Sequence, residues 1–120
     1  MINLPIIIVV LLGIGAMMVA ALAYAFYRDP EKGMAQATHR PEQLPLVMVD
    51  RYIAVALIQV GLIFFGNLEM VAVFCVAGAV MGLGDGLIYH RAGFPHIKHT
   101  STGVLSLMGL MITLYYLAAG

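Results

Sequence analysis

Four apolar stretches, each about a bilayer long, alternate with polar connections along the chain. Residues 4–27 (LPIIIVVLLGIGAMMVAALAYAFY) carry no charge and end in tyrosine followed by Arg28, as a span does where it meets the headgroups. Residues 44–65 make a second span if Asp50 and Arg51 are accepted about two turns inside it. Starting that helix at Tyr52 would leave Leu46, Val47, Met48 and Val49 as exposed apolar residues, so the longer helix is expected. Gly66 and Asn67 then form a tight reversal, which predicts antiparallel neighbours on either side of it. The third span covers 68–89. The fourth covers 95–118 and opens on Pro95, a residue suited to a first helical turn. Between the first two spans, residues 28–43 are polar and punctuated by Pro30, Gly33 and Pro41, which predicts a loop with one interfacial helical turn around Met34 to Thr38.

Helical spacing within the spans predicts which faces pack. Gly13, Ala16, Ala20 and Ala23 form a flat strip on the first helix, where a neighbour can approach closely. On the third, Cys75, Gly78, Gly82, Asp85 and Tyr89 share a face, Gly78 and Gly82 read as GxxxG, and Gly84 and Gly86 flank Asp85. His99, Thr102, Ser106, Gly109, Thr113 and Tyr116 recur on the fourth helix as a small and polar stripe expected to face inward. The architecture expected is all-α, an integral membrane up-down four-helix bundle in a single domain over residues 1–120.

Composition supports this reading. The chain of 120 residues is 62% hydrophobic and 10% charged, against about 25% charged in soluble domains. Zero formal net charge without a basic run argues against a nucleic-acid partner. Cys75 is the only cysteine, so no intrachain disulfide is possible. Ahead of the first span Asn3 is the only polar residue and the basic residues follow it, the reverse of a cleavable leader. The six Lys and Arg residues (Arg28, Lys32, Arg40, Arg51, Arg91, Lys98) lie in or beside the first and third connections, while the second has only Glu69. The positive-inside rule then puts both termini outside, and gathers Asp50, Arg51, Asp85 and the four histidines toward the cytoplasmic end.

Chemistry is expected at that end. A carboxylate within an apolar helix must be paired, protonated or beside water, and ionisable residues at such depth are candidate functional groups. Arg51 and Asp85 fall at comparable depth and are expected to pair, with Tyr52, Gln59 and Tyr89 satisfying the remaining valences. One reading is a structural ion pair that fixes helix register. In the other, Asp85 lines a polar pocket with His96 and His99, where carboxylate and imidazole exchange protons. Arg51, Tyr52, Gln59, Tyr89 and His96 are then the candidate ligand-binding residues, and Asp85 with His99 the catalytic pair if the protein is an enzyme. His90, His96 and His99 are candidate metal ligands, but HxxH without cysteines or a second carboxylate-histidine motif does not specify a metal, and no cofactor is assigned. His39 stands alone in the polar connection and reads as a surface residue. The nine methionines are scattered through the apolar segments and read as core filling.

Taken together, RYIAVALIQVGLIFFGN at 51–67, GLGDG at 82–86 and the histidine-containing entry to the last helix resemble the DoxX-like group of small four-helix membrane proteins, in particular its short uncharacterised members. The resemblance covers about residues 45–118. It implies a four-helix bundle in the bacterial inner membrane, sometimes accompanying quinone-linked oxidoreductases, although this chain has no paired-cysteine redox motif. The function expected is binding: an accessory subunit that holds a lipophilic molecule, quinone-like or lipid, or docks a membrane partner as a homo-oligomer or within a larger complex. Two alternatives stand beside it, an integral membrane isomerase or hydrolase using Asp85 and His99 as acid and base, and a proton-coupled carrier working as an oligomer.

Overall fold

A computed structural model describes residues 4–120, and among them every regular element is helical. In order these are α1 (Ile6–Arg28), α2 (Pro30–Gln36), a single 3-10 turn (Pro41–Gln43), α3 (Leu44–Phe65), α4 (Leu68–Arg91) and α5 (Ile97–Ala119). Four of the helical stretches, Ile6–Arg28, Pro41–Phe65, Leu68–Arg91 and Ile97–Ala119, are long and apolar enough to cross a membrane. The chain forms two compact units, Met1–Ile53 and Ala54–Gly120.

In the first unit the polar connection is more ordered than its composition predicts. Asp29 caps α2 through its side chain, which accepts from the Lys32 amide at 3.2 Å, and Pro30 occupies the first helical position, where a missing N–H costs nothing. Residues 30–36 are therefore a helix, and the turn expected at Met34 to Thr38 overlaps its last residues and the stop that follows them. Gly33 is buried against Phe26 of α1, where an added Cβ would lie 2.8 Å from the ring. The helix stops at Ala37. Thr38 takes φ of 57°, its amide donates to Ala35 and the His39 amide donates to Met34, satisfying carbonyls that the helix end leaves open. The 3-10 turn leads directly into α3, so the longer second helix is the one formed and Asp50 and Arg51 lie within it.

The second unit is organised by α4 against α5. Asn67 caps α4 by accepting from the Met70 amide at 2.9 Å, directly after the Gly66 reversal. The seam between the two helices is built from residues with little or no side chain. A Cβ on Gly78 would meet Ser106 Oγ at 2.6 Å, one on Gly82 the backbone of Gly103, and one on Gly86 the Thr100 hydroxyl. Partner numbers fall on α5 as they rise on α4, so the helices run antiparallel. Glycine every fourth residue lets the backbones approach, and dispersion between them replaces the hydrophobic drive that lipid does not supply. The GxxxG reading of Gly78 and Gly82 is thus correct and extends one step to Gly86.

The inward stripe of α5 is partly as expected. His99, Ser106, Gly109 and Thr113 are buried or half-buried, whereas Thr102 and Tyr116 are exposed and Thr100 and Gly103 take the central places. Helix α5 also begins two residues later than Pro95 predicts, at Ile97 behind His96. Three of its hydroxyls are satisfied within the helix: Thr102 donates to the Lys98 carbonyl, Ser106 to Thr102 and Thr113 to Gly109, at 2.9, 3.0 and 2.7 Å. Such back-bonding lets a polar residue lie in hydrocarbon without an orphaned donor.

Candidate functional site

The polar residues of the second unit collect where α4 ends and α5 begins, and a helix stop puts them there. Gly93 takes φ of 77°, its amide donates to His90 and the Phe94 amide donates to Tyr89, closing the open carbonyls of α4 in the left-handed cap that glycine permits. The apolar contact that accompanies this cap is also present, with the Phe94 ring edge-on to Tyr89 at 6.5 Å between centroids. Phe94 thereby helps to fix Tyr89. The Tyr89 ring also stacks on the His99 imidazole at 4.9 Å, with 24° between the planes. Nδ1 of His99 lies 3.8 Å from Asp85 Oδ2, beyond direct hydrogen-bond length and close enough for one proton or one ligand oxygen to serve both. Asp85 is 56% exposed and His99 37%, so the pair is open to a visitor.

Across the Gly82–Gly86 seam lies a second group. The His96 ring stands edge-on to His90 at 4.8 Å, and its Nδ1 is 3.0 Å from the Thr100 hydroxyl. These side chains line a small recess with Leu83, Gly86 and Leu87. The geometry follows from helical phase: one turn separates Asp85 from Tyr89, and the next residue round from Tyr89, His90, emerges on the opposite flank.

The residues expected to act do not all fall in one group. Asp85, His99 and Tyr89 meet. His96 joins His90 instead, so the histidines considered as metal ligands are divided, and among the described residues no three His, Cys, Asp or Glu side chains form a cluster that could hold a metal ion. Arg51 and Tyr52 belong to the first unit, where Arg51 Nη2 lies 3.5 Å from His39 Nε2, a long contact in which the imidazole nitrogen would accept. Tyr52 and Gln59 are exposed on α3.

Three participants were not legible as site residues. Phe94 could have been found from the RAGF run, which is a helix-stop signal with its apolar follower. Thr100 could have been found from its place one turn after His96. The contact of His39 with Arg51 joins a loop to a helix and has no local sequence signal.

No curated protein and no solved structure matches the chain. Residues 7–114 match the family described as Domain of unknown function (DUF4267), a match that runs from α1 into α5, and the chain belongs to that family.

Proposed function

We propose that this is a multi-pass membrane protein that holds a lipophilic molecule by its polar group, with Asp85, His99 and Tyr89 as the contact. The observation that carries the reading is the Tyr89-supported imidazole facing a carboxylate at 3.8 Å, both half-exposed on helices otherwise apolar enough to span. A donor, an acceptor and a flat aromatic surface at the end of an apolar helix pair suit a molecule with an oxygen-bearing ring or head and a greasy remainder. In this account the four long helices cross the membrane as an up-down bundle. The charge asymmetry of the connections puts both termini outside and this cluster at the cytoplasmic side. The likeness to DoxX-like proteins favours the bacterial inner membrane and an accessory role within a larger complex or a homo-oligomer.

The same pair supports a second reading. A carboxylate and an imidazole separated by 3.8 Å are also an acid and a base, so turnover of the bound lipophile by proton transfer is the alternative. Organic extraction of the purified protein followed by mass spectrometry decides the first question. A defined lipophile, stoichiometric in the wild type and depleted in Asp85→Asn and His99→Gln, supports binding; bulk membrane lipid alone in all three rejects it. Recovery of a chemically altered lipophile from the wild type but not from Asp85→Asn favours the enzyme.

A further inference from the structure

Beyond that contact, we propose a second binding site on the opposite flank of the glycine seam, a trough for the chain of an uncharged, oxygen-headed lipid. An open groove of about 460 Å³ runs along the α4–α5 pair, walled by Leu83 and Leu87 of one helix and Leu107 and Leu110 of the other. Its depth comes from residues without bulk, since Ala79 is 7% exposed and Gly84 has no side chain to fill the floor. A groove of this size falls in the range that accommodates small molecules.

The end of the groove identifies the occupant. Leu83 and Leu87 also line the 230 Å³ recess that contains His90, His96 and Thr100, so the polar recess adjoins the apolar trough along these two residues. From Val76 to His90 the path along α4 is roughly 21 Å, about two-thirds of a hydrocarbon core. His90 ends α4 and His96 precedes α5, so the polar recess lies at the ends of two spans, where a membrane amphiphile carries its head. A packed helix would present apolar side chains along its whole length and leave these groups unanswered, whereas a chain with one polar end answers both parts.

The head is uncharged. Of the residues lining the recess none is Lys, Arg, Asp or Glu, and a phosphate or carboxylate would call for a guanidinium or ammonium partner. Imidazole and hydroxyl groups instead supply single donors and acceptors suited to an ester carbonyl or an alcohol. His96 has one nitrogen engaged by Thr100, which orients its ring at the rim of the recess.

Photolabelling in phosphatidylcholine vesicles tests the site. A diazirine-tagged monoacylglycerol is compared with a fatty acid and a lysophosphatidylcholine carrying the same tagged chain. The monoacylglycerol should label peptides containing residues 76–87 and 107–110 well above the other two probes. That labelling should fall by about tenfold in Leu87→Trp, or in the rim variant Val80→Trp if the first fails to fold, and in His90→Ala. Asp85→Asn should leave it unchanged, which separates this site from the contact proposed above: labelling lost in Asp85→Asn but kept in the trough variants would assign the lipid to the first contact and overturn the second. Equal labelling by all three probes, or a trough left unlabelled because another helix or a second copy covers it, would also overturn it.

Discussion

The imidazole of His99 lies against the ring of Tyr89, 4.9 Å between centroids, while its Nδ1 faces Asp85 at 3.8 Å. Tyr89 is also the residue whose backbone carbonyl receives the Phe94 amide at the stop of α4, so the loop and the candidate site share a residue. The position of the imidazole therefore depends on a cap as much as on the helix that carries it.

A double-mutant cycle measures that dependence. Tyr89→Leu and His99→Leu, singly and together, should show a coupling of about 0.5–1.5 kcal/mol in denaturation from detergent micelles, the value of an aromatic stack beyond its area. Tyr89→Phe should keep most of it. Additive single effects would mean that the stack contributes nothing.

The seam predicts a sharp contrast between glycines two residues apart. Gly82→Val places branches against the backbone of Gly103 and the His99 carbonyl, and should cost about 1–3 kcal/mol or separate the helix pair. Gly84→Ala meets nothing within 4 Å and should be neutral or stabilising by helix propensity. Thermal unfolding of the two variants in one detergent checks the sign of each.

Two helix stops have the same geometry and different residues. Gly93→Ala forces a side chain into the left-handed region at φ of 77° and should destabilise by about 1–2 kcal/mol. Thr38 already bears that strain at φ of 57°, as a β-branched residue, so Thr38→Gly should stabilise by up to about 1 kcal/mol, offset in part by the greater freedom of glycine when unfolded. Opposite signs in melting temperature are expected, and a loss of stability in Thr38→Gly would contradict the strain argument.

Topology is open to chemical test. With Cys75→Ala as background, Glu69→Cys should react with a membrane-impermeant maleimide in intact cells, and Gln36→Cys only after permeabilisation. The reverse pattern would invert the orientation inferred from the basic residues.

Some parts of the structure are legible in the sequence and others are not. Span positions follow from burial of apolar length in lipid, a strong and local signal, and Asp50 and Arg51 fall within α3 because the four apolar residues before them need a helix to occupy. The glycine spacing on α4 was legible for the same reason. The α2 helix was not read, although Asp29 and Pro30 form a cap and first turn, because the polar composition of 28–43 obscured a two-residue signal. Helical phase puts Asp85 and Tyr89 one turn apart on α4, and His99 of α5 lies against both. The assignment of His96 to His90 rather than to His99 depends on how α5 is rotated against α4, which the seam at Gly82, Gly86 and Gly103 sets and which no single helix records.

Native mass spectrometry of the protein released from lipid nanodiscs tests the central claim most directly. The wild type should carry a non-phospholipid mass that Asp85→Asn and His99→Gln, folded by the same melting criterion, lose, whatever mass the trough keeps in all three. A wild-type spectrum of bare protein, or one with no adduct that the two variants lack, would contradict the claim that these side chains hold a lipophile.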